Sequence, residues 1–245
     1  MTGAPLLEIR GMEKVFGGLT AVRDASFTVR PGEIVGLIGP NGSGKTTLIN
    51  LISGALQPDG GAMLLQGAEL TGSPAHLLAR AGIARTFQLV RVIGEMTALE
   101  NVMCGLVARR GIVRGDQAAE EAGALMVRVG LEGKEAVPVA DLTYGDQKRV
   151  ELARALALRP RLLLLDEWLA GLSAAELYGG IALIQSLAEE EAITIIMVEH
   201  VMAAIRSLCP RCIVMNGGAL IADGRTAEIM ADRHVIAAYL GDEDA

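Results

Sequence analysis

Apolar residues follow two rhythms along this chain of 245 residues. In Ile34-Val35-Gly36-Leu37-Ile38, Leu162-Leu163-Leu164-Leu165 and Ile193–Val198 they run almost without a polar break. Runs of this length read as strands buried on both faces, the habit of a parallel sheet. Elsewhere they recur every three or four residues. That spacing predicts helices over Thr47–Ile52, residues 74–81, Asp116–Val129, Lys148–Leu158 and from Ser173 to about Glu191.

Local signals set the boundaries. Thr97-Ala98-Leu99-Glu100 and Ser173-Ala174-Ala175-Glu176 are capping boxes. The first opens a helix to about Ala108, broken by Gly111–Gly115, and Arg159-Pro160 ends the helix before the leucine run. Strand-like pieces Leu6–Ile9 and Ser26–Val29 surround a turn at Gly17-Gly18, and Ala62–Gln66 follows the turn Gln57–Gly61. Arg211–Asn216 and Ala219–Ala222 flank Gly217-Gly218, a hairpin signal. Two short helices fit residues 226–241, ahead of an acidic tail.

This order predicts one α/β domain over residues 1–245. Residues 1–30 and 60–70 make an antiparallel β region. Residues 31–59, 71–89 and 159–210 make a core with a mainly parallel sheet, 90–158 an inserted helical subdomain, and 211–245 a C-terminal hairpin and helices.

Apolar residues are 51% of the chain and aromatics 3%, so Ala, Leu, Val and Ile build the core. A formal charge of −7 argues against a general nucleic-acid or anionic-membrane surface. No apolar run approaches the roughly 20 residues of a membrane-spanning helix. Met1-Thr2-Gly3-Ala4-Pro5 does not read as a signal peptide. Three cysteines make no disulfide framework, and Cys209-Pro210-Arg211-Cys212 lacks the second pair or His of a zinc site. The expectation is a cytoplasmic protein with reduced thiols.

The most specific chemistry lies at Gly39-Pro40-Asn41-Gly42-Ser43-Gly44-Lys45-Thr46, which fits the phosphate-binding pattern G-x-x-x-x-G-K-[ST]. Glycines let backbone N–H groups close around a polyphosphate, Lys45 adds a point charge, and the Thr46 hydroxyl can ligate Mg²⁺. A helix starting near Gly44 aims its positive end at the same anion. Asp166 and Glu167 end the leucine strand, at the sheet edge where ligands of parallel sheets bind; an acid there can hold the same Mg²⁺. His200 ends a neighbouring strand, where it reads equally as structural or catalytic. Phe16, before a glycine turn, reads on its own more readily as core than as a ligand contact.

The order of these motifs resembles the ATP-binding cassette (ABC) ATPases over essentially the whole chain. Gly39–Thr47 matches the first Walker motif, Gln88 the Q-loop, Leu142–Asp146 the family signature and Leu162–Asp166 the second Walker motif. Within that family the chain is similar to ATP-binding subunits of branched-chain amino-acid importers. The likeness rests on Phe16–Val22, Gly82–Gln88, Glu95-Met96-Thr97, Tyr144–Gln147 and Val235–Gly241.

The resemblance implies a P-loop core and a set of roles. Phe16 stacks on adenine, while Lys45, the P-loop amides (Gly39 to Thr47), Thr46 and Gln88 hold phosphates and Mg²⁺, with Asp166 on the metal. Glu167 is the catalytic base and His200 grips the γ-phosphate. Thr143 and Gly145 of the signature complete the ATP site of another subunit, so a dimer is implied, of unlike ATPases. Partners are then a second ATPase subunit and transmembrane permease subunits, with a substrate-binding protein reached indirectly and no nucleic acid. The chain would sit peripherally on the inner face of the membrane. Branched-chain amino acids, other amino acids, amides or aromatic acids all stay open as cargo. A soluble non-transport ABC ATPase acting on nucleic acid or the ribosome is the alternative. Just after the Q-loop, Val90, Val92, Ile93 and Met96 are the expected permease contact.

Several residues depart from the family pattern. Asp146 stands where the signature usually ends in Gln, and its expected role is to cap a helix start. Trp168 replaces a proline, Ser173 the D-loop Asp, and Val201 an acid after the switch His.

Overall fold

A computed structural model describes residues 4–109 and 115–240. Most of the glycine-bounded break at 111–115 and the acidic tail lie outside the described residues. The N-terminal part contains β1 (Leu7–Phe16), β2 (Leu19–Val29), β3 (Ile34–Ile38), α1 (Lys45–Ile52), β4 (Gly60–Leu65) and β5 (Ala68–Glu69). The middle contains α2 (Ala75–Ala81), β6 (Ile83–Arg85), α3 (Ala98–Ala108), α4 (Asp116–Arg128), α5 (Tyr144–Leu156) and β7 (Leu162–Asp166). The chain continues with α6 (Ala174–Glu191), β8 (Thr194–Val198), α7 (Met202–Leu208), β9 (Arg211–Asn216), β10 (Ala219–Arg225), α8 (Thr226–Ile229) and α9 (Arg233–Leu240).

The uninterrupted apolar runs become β3, β7 and β8, in which every residue is buried. They lie inside a six-stranded sheet of order β10-β9-β3-β8-β7-β6, parallel except for β10. Successive side chains leave opposite faces. Ile34, Leu163, Leu165, Ile195 and Met197 therefore enter a core shared with α3, α4, α5, α6 and α7. Val35, Leu37, Leu162, Leu164 and Ile196 enter a second core with α1 and the antiparallel sheet β2-β1-β4-β5. Each such side chain stabilises the fold by about 1.5–3 kcal/mol. Both faces being covered is what fixes the edge at which β3, β7 and β8 end.

One expectation needs correction. The first two strands run much farther than Leu6–Ile9 and Ser26–Val29. Register shifts between Ile9 and Val15 break the two-residue alternation that would have revealed them. The C-terminal hairpin β9–β10 also extends the core sheet, since β9 pairs in parallel with β3. At Gly36, in the middle of β3, a Cβ would lie 3.0 Å from Cys212 Sγ and 3.3 Å from Cys209 Sγ. Both cysteines are free and buried, and burial pushes both thiols up.

The segment between β6 and α3 has no regular structure, and two buried side chains hold it. The Glu151 carboxylate on α5 accepts from the amides of Phe87 (3.2 Å) and Arg91 (2.8 Å). Asn101 on α3 accepts from Ile93 N at 2.8 Å and donates to the carbonyls of Ile93 and Thr97, both at 3.0 Å. Leu89 and Ile93 remain exposed, whereas Val92 packs on the core. Asn101→Ala leaves the Ile93 amide and two carbonyls without their partner. The expected cost is about 1–3 kcal/mol, read as a lower midpoint in denaturant at unchanged slope.

Candidate nucleotide site

The loop between β3 and α1 is shaped by backbone pressed against backbone. Gly39 has φ 150° and Gly44 φ 103°. A Cβ on Gly39 would lie 2.1 Å from the Met215 carbonyl oxygen of β9, and one on Gly44 2.3 Å from that of Ala21 in β2. Only glycine fits either place. The β9–β10 turn adds Gly218 N donating to Ser43 O at 3.0 Å, while Arg23 N donates to Gly218 O at 2.8 Å. The loop is thus wedged between the two sheets.

Helix α1 starts at Lys45 with Gly44 as its cap, and no acid lies in its first turn. Its free N-terminal amides face the loop. Lys45 is buried, its Nζ donating to the carbonyls of Gly39 (2.7 Å) and Pro40 (2.9 Å). Burial holds its ammonium below the usual range, with Glu167 and Asp166 pulling the other way. Beside the loop opens a cleft of about 590 Å³, lined in part by Phe16, Asn41–Thr47, Gln88, Glu167, His200 and Gly217-Gly218. Phe16 sits exposed at the tip of β1 and lines the cleft, outside the core.

Strand β7 delivers the two acids. Glu167 follows it with a left-handed φ of 50°, an arrangement that costs on the order of 1 kcal/mol and persists where surrounding contacts enforce it. Its amide donates to Val198 O at 2.8 Å. Its carboxylate accepts from Gln88 Nε2 through Oε2 and meets His200 Nε2 through Oε1, each at 2.9 Å. Three residues from three separate loops converge there.

Asp166 is almost fully buried. Its Oδ2 accepts from Arg85 Nη2 at 3.1 Å, and its Oδ1 has no partner. Burial raises its carboxyl above the usual range, with Arg85 opposing. The Arg85 guanidinium also donates to Asn50 Oδ1 (2.7 Å) and Ser53 Oγ (2.8 Å), fixing it against α1. Thr46, Gln88 and Asp166 all line a neighbouring cavity of about 400 Å³. The unpaired Asp166 Oδ1, the Thr46 hydroxyl and the Gln88 amide oxygen are oxygen donors of the kind that suit a hard divalent cation.

Thr143 and Gly145 do not line this cleft. They start α5, where Thr143 Oγ1 accepts from Asp146 N at 3.2 Å. Thr143 is therefore the cap, a role expected of Asp146. Asp146 instead takes the Lys134 ammonium at 2.5 Å, one turn inside, where the helix dipole also favours an acid. Arg85, Arg23 and Gly217-Gly218 were not singled out as site residues by the sequence. The glycines carried only a turn signal, and nothing in the local pattern marks Arg85.

One further acid lies close by. Glu199 is 1% exposed, with Oε1 accepting from Leu169 N at 2.6 Å and Oε2 unpartnered. Burial pushes its carboxyl from an ordinary 4.5 up to about 7, against the Leu169 amide and Lys148, which favour the charge.

A family model described as ABC transporter matches residues 22–170, and one described as branched-chain amino acid ATP-binding cassette transporter matches residues 219–245. The chain is 39% identical over 251 residues to the high-affinity branched-chain amino acid transport ATP-binding protein BraF of Pseudomonas aeruginosa, covering 97% of this chain and 98% of that one. It is 38% identical to LivG of Escherichia coli K12, which carries the same description, with the same coverage. Among solved structures, an ATP-binding cassette of an ABC transporter in its ADP conformation superposes with a TM-score of 0.88 at 30% identity. That match covers 98% of this chain and all of the other.

The Glu199 geometry sets a pH dependence. A carboxyl whose folded pKa lies above its unfolded one contributes stability that is complete below the unfolded value and lost as pH rises through about 7. Glu199→Gln removes the buried charge. Its melting temperature is expected to exceed the parent's at pH 8, by the equivalent of up to about 3 kcal/mol, with the gap closing near pH 5. Parallel thermal melts at the two pH values check this.

Proposed function

The chain belongs to the ABC transporter family of ATP-binding cassettes, and from that membership we propose that it hydrolyses ATP to power uptake of branched-chain amino acids or related small solutes through separate permease subunits. The observation that carries the reading is the Glu167 carboxylate, held between Gln88 and His200 in the same cleft as the P-loop. The match of residues 219–245 to the branched-chain model favours transport over a soluble, non-transport role.

Each group then has a task. Amides of Asn41 to Thr47 and the Lys45 ammonium bind the β- and γ-phosphates, with Lys45 exchanging its Gly39 and Pro40 carbonyls for phosphate oxygens. Phe16 offers an exposed ring for the adenine face at the cleft mouth. Thr46, Asp166 Oδ1 and Gln88 would hold Mg²⁺, which, when bound, neutralises charge on the β- and γ-phosphates. Glu167 accepts a proton from the attacking water and His200 steadies the γ-phosphate. Gln88 and His200 donate to Glu167 here, which keeps its carboxylate aimed into the cleft.

Thr143 and Gly145, at the start of α5 and away from the chain's own cleft, serve a second ATPase subunit. Permease subunits would dock where Leu89 and Ile93 are exposed, on the segment that follows Gln88. Val90 and Met96 of the same expected contact are half-buried, and Val92 packs on the core. A cytoplasmic helix laid there sits next to a phosphate-sensing side chain. No described helix is long and apolar enough to cross a membrane, so the membrane path falls to other subunits.

Two substitutions test the reading. Glu167→Gln keeps the volume and one of the two acceptor oxygens but removes the base. Nucleotide binding is expected to persist while turnover falls about 10²–10⁴-fold, and near-parental turnover removes Glu167 from the role. Ile93→Asp is expected to leave the subunit folded and able to bind ATP while co-purification with the permease subunits is lost. Recovery at parental yield rules out docking on this segment.

A further inference from the structure

Buried ionisable groups with no part in the mechanism above grip the turn after Glu167 from two sides. Lys148, on the second turn of α5, is 1% exposed. Its Nζ donates to the carbonyls of Glu167 (3.1 Å), Trp168 (2.9 Å) and Ala170 (2.6 Å), so all three ammonium hydrogens have acceptors on one turn. Trp168 returns the contact, its Nε1 donating to the Lys148 carbonyl at 3.1 Å. From the other side Glu199, directly after β8 and before His200, accepts from Leu169 N at 2.6 Å. Residues 167 to 170 are therefore held by a cation on their carbonyls and an anion on their amide.

Two segments in this clamp lead to groups of the chain's own cleft, and the third carries the signature. The turn starts with Glu167 in its left-handed conformation, β8 leads to His200, and α5 opens at its cap Thr143 with Gly145 in its first turn. A residue in that conformation stays there only where its surroundings over-determine it, and these bonds supply that constraint. Two buried charges are a costly way to hold a turn that need only be stable. We propose that Lys148 and Glu199 are positioning residues that lock the backbone of Glu167 and tie the aim of its carboxylate to α5. A displacement of the signature helix is thereby transmitted to the catalytic carboxylate of the same subunit. The proposal rests on the reading of Glu167 as the base.

The clamp contains its own reporter, because Trp168 is the only tryptophan in the chain. The groups acting on Glu199 are the Leu169 amide, Lys148 from α5, the Glu167 carboxylate from the turn, the His200 amide, and Cys209 after α7. With the carboxyl of Glu199 pushed up to about 7, the clamp changes charge within the neutral range.

The test is intrinsic fluorescence of the full-length chain titrated from pH 5.5 to 8.5, alongside steady-state ATPase kinetics of the assembled transporter. Parental emission is expected to change with a midpoint near 7. The transition vanishes in Glu199→Gln, persists in His200→Asn, and moves to higher pH in Lys148→Met, which lacks the opposing charge. At pH 8 both clamp variants lose turnover roughly tenfold to hundredfold, the scale of a misaimed catalytic group, with the KM for ATP within about twofold. Glu199→Gln does so without losing thermal stability, which separates positioning from mere support. A transition that survives in Glu199→Gln overturns the proposal, as does parental turnover in that variant or turnover that falls only together with its melting temperature. Should Lys148→Met fail to fold, Glu199→Gln decides alone. If Glu167→Gln keeps parental turnover, the assignment of the base fails, while the fluorescence still decides whether the clamp exists.

Discussion

The phosphate-binding loop depends on two places where backbone meets backbone. Carbonyl oxygens of Met215 and Ala21 stand where side chains of residues 39 and 44 would be. Those carbonyls belong to β9 and β2, one from each sheet. The loop is therefore an assembly product of both layers, and its amides point inward only when both sheets are in place. This is also why the β9–β10 hairpin has to lie in the core sheet: its turn supplies the amide that holds the Ser43 carbonyl.

Charge at the C-terminal edge of the sheet is arranged in opposed sets. Asp166, Glu167 and Glu199 come from the ends of β7 and β8, and Lys45, Arg85 and Lys148 come from α1, β6 and α5. Only one pairing is a direct side-chain ion pair, Arg85 with Asp166. The two lysines hand their hydrogens to backbone carbonyls while their fields still act on the acids. Helices from the subdomain and strands from the core thus share one electrostatic environment, which low dielectric makes stiff to displacement.

Much of this was legible in the residues. Strands β3, β7 and β8 declared themselves because burial on both faces demands unbroken apolar runs, and the capping boxes at Thr97 and Ser173 appear with both reciprocal bonds in place. The P-loop and the acids after β7 were legible because their chemistry tolerates few alternatives. What escaped is what only tertiary contact creates. Strand β1 hid behind its bulges, and Asp146 looked like a cap because Lys134, twelve positions earlier, is invisible as its partner in a linear reading. Arg85 carries no local signal, since its role is defined by Asn50, Ser53 and Asp166 meeting it from three other places. The pairing of Lys148 with the turn at 167–170 is hidden for the same reason: nineteen to twenty-two positions separate donor from acceptors.

Gly36 has a consequence that reaches across the chain. The space its missing side chain leaves is filled by the sulfurs of Cys209 and Cys212 together with the Ile205 Cδ1 methyl, which come from α7, the link that follows it and β9. A single packing volume is thus shared by four residues, three of them far along the chain from the first. A methyl group gained at residue 36 would press on all three, and each would have to give way by a few tenths of an ångström. The short Cys-x-x-Cys spacing, which suggests metal or redox chemistry when taken alone, is in this fold the imprint of a steric bargain beneath the nucleotide loop.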